Sequence, residues 1–304
     1  MSCSKACWLS ALVIGLALVG GSALWASPPK LKVMTTTTDL AAIARAIGGD
    51  AVSVSSMVSG SRDLHSIEPR PSMAFALRDA DMLIRIGMQL DVWVDGLVMA
   101  AHNPRIAYSG KGYLDASKDI RKLQVPTGSI SGAQGDIHLE GNPHYWLDPE
   151  NGKVIAGEIK DRLSMLLPSQ KGMFEDRYVA FCRSIDDRIP AWQHGIGRFK
   201  GKEWVSYHAT FVYLAHRFGV ELPATIEVKP GIPPTPGHLL RLLRLLESKK
   251  VSLIVMEPYY PMDMAKDLSA KSGVPTVIIP TSTGPQDSYP ALFDTIAKKL
   301  EALP

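Results

Sequence analysis

Beyond residue 30 the chain alternates between short apolar runs and stretches whose apolar residues recur every three or four positions. Residues 31–36 predict a strand, and Leu40, Ile43, Ala44 and Ile47 predict a helix that stops at Gly48 and Gly49. Strands are predicted over 51–58 and 82–86, with a helix around 72–78 between them. Residues 90–101 read as helix and 105–108 as strand; a long polar connection to Asn142 precedes a helix over 152–167. The second half repeats this grammar, with a strand over 203–207, a helix over 209–218 stopped by Gly219, and a strand over 225–228. Pro236 opens a helix at its first position, where its missing N–H costs nothing. Near-continuous apolar runs over 251–256 and 276–279 predict buried parallel strands, and a helix over about 289–303 ends the chain. Such alternation predicts α/β architecture with parallel sheets.

Between the halves, Phe174, Tyr178, Phe181, Ile185, Ile189, Trp192 and Ile196 follow one another at steps of 4, 3, 4, 4, 3 and 4. This is one apolar helical stripe, long enough to span roughly 35 Å and to connect two lobes. Pro190 lies inside it and is expected to kink it or divide it in two.

The N-terminus adds a cellular address. Lys5 is the only charge before Lys30, residues 9–25 are apolar and rich in small residues, and Ala26 offers a small-residue cleavage site. This pattern predicts a secretory signal peptide over 1–26, cut before Ser27, with an uncleaved membrane anchor as the alternative. Cys3 and Cys7 would leave with the leader, so Cys182 alone remains and no internal disulfide is expected. No cysteine follows closely on the apolar stretch, so the expected product is free in a periplasm. Its composition, 46% hydrophobic and 21% charged over 304 residues, is globular and sufficient for two domains with separate cores. The net charge of +3 carries no basic stripe, which argues against a nucleic-acid partner.

Enzyme signatures are missing. His65 and Glu68 stand in H-S-I-E, the wrong order for a zinc-protease helix, and there is no nucleophile elbow or phosphate-binding loop. Four residues occupy equivalent places instead: His65 in SRDLHSIEP, His144 in NPHYWLDP, His208 in SYHATFVYLAHRFG and Asp287 in PTSTGPQDSYPAL. Each lies in a loop ahead of a predicted helix, which for His65, His208 and Asp287 also follows a predicted strand, and such strand-to-helix loops gather at the carboxyl ends of the strands. Two fall in each half, so a cleft between lobes would collect all four; three imidazoles and a carboxylate complete a tetrahedral set for Zn²⁺. Spacing alone leaves the ordinary surface or core histidine as the competing reading. His138, six residues before His144, reads either as a metal-delivering residue or as a solvated loop histidine. His216 lies about 12 Å from His208 by helical rise and reads as structural. His102, His194 and His238 have no ligand-like context, and Glu68 and Asp148 are candidates to orient imidazoles or to cap helices.

Taken together, H-S-I-E-P at His65, N-P-H-Y-W-L-D-P at His144, H-A-T-F-V-Y-L-A-H-R-F-G at His208 and D-S-Y at Asp287 resemble the four ligand motifs of zinc/manganese-type periplasmic binding proteins. These are the solute receptors of high-affinity metal ABC importers, and the resemblance extends through the central stripe and V-S-L-I-V-M-E-P at 251–258. It implies two α/β lobes, 27–167 and 201–304, joined by a long helix over 168–200, with the metal between them. His65 and His144 would come from the first lobe, and His208 and Asp287 from the second. It implies a non-enzymatic receptor that passes Zn²⁺ to a membrane permease, read here as a monomer, with a metal-delivery protein as a further candidate partner. Zinc-specific members often carry a long His-rich acidic loop, where this chain offers only Asp136, His138 and Glu140. The alternatives are a manganese receptor, an exported zinc hydrolase with Asp287 as general base, and an adhesin or storage protein.

Intact-mass measurement of the exported product is expected to find Ser27 at or near its N-terminus. Full-length protein confined to membranes would establish the anchor reading instead.

Overall fold

The first sheet has β1 (Leu31–Thr35) between β2 (Val52–Ser56) and β3 (Met82–Arg85), with β4 (Tyr113–Asp115) outside β3. The second repeats that order, with β5 (Glu203–Ser206) between β6 (Glu221–Thr225) and β7 (Val251–Met256), and β8 (Thr276–Ile278) beyond. All pairings between these strands are parallel. This computed structural model describes residues 30–60, 62–127, 138–229 and 231–303; the predicted leader and Asp136 lie outside them. Among the described residues no helix is long and apolar enough to cross a membrane.

Local chemistry accounts for the helix ends. Thr37 caps α1 (Thr38–Gly48) by accepting from the Leu40 N–H, and α1 closes at Gly49, whose φ of 52° suits glycine. α2 (Pro71–Arg78) and α4 (Pro149–Leu166) both begin with proline, α4 under an Asp148 cap. α4 therefore starts three residues before the predicted 152, because the Asp148–Pro149 start signal outranks the apolar spacing. α3 (Trp93–Ala101), α7 (Val212–Phe218), α8 (Pro236–Glu247) and α10 (Tyr289–Glu301) overlap their predicted stretches. α9 (Asp263–Ser272) is an addition to the predicted set.

Two strands differ from expectation. The fourth lies at 113–115, not 105–108: Ile106 is buried, but in a turn closed by the Gly112 N–H donating to the Arg105 carbonyl. A side chain at Gly112 would lie 2.0 Å from the Asp81 carbonyl, so only glycine lets the chain enter the sheet there. β6 lies at 221–225 despite Pro223, because it is an edge strand and proline has no ladder bond to lose on the outer side.

The connecting stripe divides as Pro190 required. α5 (Lys171–Asp186) packs on α1 and α4 of the first lobe, and α6 (Ile189–Gly195), with Pro190 in its first turn, packs on α10 of the second. Phe174, Phe181, Ile185, Trp192 and Ile196 are all buried. The expected pair of separate cores is replaced by one main core that runs from Val33 through Phe174 to Phe293, flanked by a smaller cluster in each lobe.

A polar seam accompanies that core. Thr38 Oγ1 donates to the Thr283 carbonyl at 2.8 Å, and the Thr283 N–H donates to Asp39 Oδ1 at 2.8 Å. Burial pushes the Asp39 carboxyl from 3.8 up to about 7, and the Thr283 N–H offsets only part of that. The folded state therefore keeps a proton that the unfolded chain has already released, so stability from this group falls as pH rises between about 4 and about 7. Asp39→Asn, which keeps the acceptor for Thr283, is expected to flatten that part of the pH–stability curve in urea unfolding. An unchanged slope would assign the pH dependence to other groups.

Candidate metal centre

Three of the four proposed ligands converge. His65 sits in a short 3₁₀ turn after β2, His144 just before the 3₁₀ turn that leads to α4, and His208 directly after β5. One ligand nitrogen from each lies within 4.8 Å of the others, and the ring centroids are 4.8 to 5.3 Å apart. His144 and His208 are buried and His65 is half-buried. The carboxyl ends of the two sheets thus face one another across the group, as open α/β sheets predict.

Each imidazole is fixed from behind. His65 Nδ1 lies 3.0 Å from Asp63 Oδ1, which also accepts from the His65 backbone N–H. His144 Nδ1 lies 3.1 Å from Asn142 Oδ1, again with the histidine's own N–H donating to the same oxygen. His208 Nδ1 pairs with Glu227 Oε1, from the loop after β6. A proton committed to each Nδ1 leaves Nε2 bare, which is how metal-binding histidines are commonly oriented. Asn142 also donates to the Ala209 carbonyl at 2.7 Å, so one side chain braces His144 and the residue next to His208.

The electrostatics suit a dication. Burial first, then the neighbouring histidines, holds His144 well below the ordinary imidazole range, so it is neutral near pH 7. Burial works to raise Asp63, but the hydrogen bonds and charge of His65 outweigh it and hold the carboxyl at about 2. Glu257, at the end of β7, accepts from the His208 N–H, and burial pushes its carboxyl up to about 8. A cleft of about 170 Å³ opens on His65 and His208, with the stacked rings of Tyr207 and Tyr260 in its lining. Zinc–nitrogen bonds of about 2.0–2.1 Å put tetrahedral neighbours about 3.3 Å apart, so the three imidazoles need only modest inward movement to share one ion.

Asp287 is not brought to this group. It is exposed, and its Oδ2 accepts from the Gly284 N–H at 3.1 Å within its own turn. Glu68 is exposed, and Asp148 caps α4 and pairs with Arg217, so neither orients an imidazole. The orienting acceptors are Asp63, Asn142 and Glu227, which the sequence reading missed. Two of them were findable, because D-x-H at 63–65 and N-x-H at 142–144 repeat one pattern. Glu227 is 19 residues from His208 and meets it only through the pairing of β5 with β6. His216 is exposed on α7, His102 ends α3, His194 pairs with Glu301, and His238 Nε2 bonds the Thr225 carbonyl.

A family model described as the periplasmic component A of the zinc-uptake complex matches residues 33–303. The chain is similar to the zinc-binding lipoprotein AdcA of Streptococcus pneumoniae (strain ATCC BAA-255 / R6), with 26% identity over 276 residues, covering 89% of this chain and 54% of the relative. It spans about half the length of the zinc-binding lipoproteins it matches. It is also similar to the manganese ABC transporter substrate-binding lipoprotein PsaA of Streptococcus pneumoniae, 26% identical over 272 residues, covering 87% of this chain and 84% of that one. A solved crystal structure of ZnuA aligns with a TM-score of 0.75 and 20% identity over 90% of this chain and 99% of its own; at that identity the likeness shows the fold.

Asp63→Asn and Glu227→Gln keep an acceptor behind each imidazole but remove a charge, and each is expected to weaken zinc binding by about 10- to 100-fold. Isothermal titration against a competing chelator measures this. Unchanged affinity in both variants would show that the carboxylates act only in folding.

Proposed function

This chain belongs to the family of periplasmic components of zinc-uptake complexes, and from that premise we propose that it captures Zn²⁺ outside the cytoplasm and delivers it to the membrane permease of an ABC importer. The observation that carries the reading is the convergence of His65 and His144 from one lobe with His208 from the other, each imidazole braced through Nδ1. Borderline nitrogen donors suit zinc, whereas Mn²⁺ prefers oxygen donors and higher coordination numbers. Binding rather than catalysis is supported by the small cleft, which fits an ion and leaves little room for an organic substrate. It is supported as well by the placement of Asp287, which faces its own turn and offers no general base to the site. In this reading residues 27–167 and 201–304 form the two lobes and 168–200 the connection. The leader over 1–26 is cleaved, and the receptor acts as a monomer that can also take zinc from a delivery protein.

Native mass spectrometry of the exported protein with equimolar zinc and manganese is expected to show one zinc per chain and no stable manganese adduct. His208→Glu is expected to narrow the zinc-over-manganese preference, chiefly by weakening zinc. A preference that is unchanged or widened would show that lobe geometry, rather than donor type, selects the metal.

A further inference from the structure

His138 approaches His65, on the open side of the three histidines, from a part of the chain that their motifs do not include. Its Nε2 lies 3.2 Å from His65 Nε2, with ring centroids 5.3 Å apart. The other side of each ring is held: His65 Nδ1 by the Asp63 carboxylate, and the His138 ring by the Met88 backbone. Each ring therefore turns its Nε2 toward the other. A positive centre between the two nitrogens, a shared proton or a metal ion, satisfies both at that distance. That separation is close to the 3.3 Å edge of a tetrahedron built on zinc–nitrogen bonds of about 2.0 Å.

The anchor beneath His138 is built. Gly87, Met88 and Gln89 are three consecutive left-handed residues, with φ of 77°, 48° and 59°. Two of them carry side chains, and such backbone persists only where surrounding structure imposes it. Asp91 supplies that structure: its carboxylate accepts from the Ile86 and Gly87 N–H groups at 2.7 and 3.0 Å and from Arg85 at 3.1 Å. The strained turn turns the Met88 carbonyl toward His138 and sends Gln89 to Glu140, which it meets at 2.6 Å. Glu140 is held as well by Lys122, and the Gly141 N–H closes a turn on the His138 carbonyl at 3.1 Å. A solvated loop histidine would need none of these attachments.

We propose that His138 is the fourth metal ligand, completing an all-imidazole set with His65, His144 and His208 in the place sequence reasoning gave to Asp287. The proposal rests on the reading of this centre as a zinc-capture site and names the residue that sets its selectivity. Four neutral nitrogen donors make a closed tetrahedral site for zinc and cobalt and a poor one for manganese, magnesium or calcium.

The test compares His138→Ala, Asp287→Ala and His144→Ala with the parent, using Zn²⁺ in competition with a chromophoric chelator and Co²⁺ as a spectroscopic probe. His138→Ala is expected to retain one site per chain but to lose zinc affinity by on the order of 100-fold, at least the effect of removing an outer-shell partner. Its Co²⁺ visible bands should weaken and shift as water takes the vacated position, and added imidazole should restore them. Asp287→Ala should match the parent in both measurements. A His138→Ala variant with parental affinity and an unchanged Co²⁺ spectrum overturns the proposal, as does loss of the tetrahedral bands in Asp287→Ala. Failure of the capture reading is a separate result: the parent would bind no zinc, or His144→Ala would bind it as well as the parent. Metal-free melting curves on each variant identify any loss that arises from misfolding.

Discussion

Asp148 joins the two lobes close to the candidate metal centre. Its carboxylate caps α4 through the Glu150 N–H and pairs with Arg217 of α7 at 2.6 and 2.8 Å, while its carbonyl accepts from Tyr289 Oη at 3.1 Å. The carboxylate is almost wholly buried and the guanidinium is partly exposed. Losing the arginine would therefore strand a buried charge, which is costlier than losing a surface ion pair. Asp148 lies four residues after His144, so the segment that carries this candidate ligand also carries the bond between lobes. Between them Trp146 donates from Nε1 to the Thr281 carbonyl, and Tyr289 Oη donates to the Trp146 carbonyl at 2.6 Å.

With the lobes joined this way, His144 is positioned by both halves of the molecule. Asn142 braces its ring and bonds the Ala209 carbonyl next to His208, so the spacing of the two imidazoles is maintained by a direct bridge. The apolar core runs under the same seam without a break, and Trp146, Tyr289 and Phe293 are buried within it. Each such side chain contributes about 1.5–3 kcal/mol relative to exposure, so swinging the lobes wide apart would be expensive. Movements confined to loops cost far less, and the loops after β2 and β6 that carry His65 and Glu227 line the open cleft. The rigid side of the centre is thus His144 and the exposed side is His65.

Charge is arranged in two layers. The imidazoles of His65, His144 and His208 face one another, and Asp63, its carboxyl held at about 2, stands one bond behind, where it would balance a dication without becoming a hard oxygen ligand. The Glu257 carboxyl, raised to about 8 by burial, holds the His208 backbone without adding a second charge there. Such a separation of soft contact from charge balance is what the proposed preference for zinc over ions that demand oxygen donors requires.

Much of this was legible in the chain. Parallel strands announce themselves as apolar runs, helix starts as Asp148–Pro149 or Thr235–Pro236, and the connecting helix as an unbroken stripe that Pro190 divides. His65, His144 and His208 could be read because each sits in a loop ahead of a helix, and local backbone signals alone fix such loops at the carboxyl ends of the strands. Asp287 met the same criterion but lies apart from the three histidines: whether a loop carboxylate reaches across a cleft or folds back on a nearby N–H depends on distances that sequence does not contain. The same limit hid Glu227, which reaches His208 through strand order, and the nearness of His138 to His65 across 73 residues of chain. The sequence by itself determined most of the elements, their order and three candidate metal ligands, because those follow from periodicity and turn chemistry within a few residues. Only the tertiary structure decided which oxygen atoms stand behind each imidazole, that one core serves both lobes, and which group approaches the fourth position, because each depends on contacts between segments far apart in the chain.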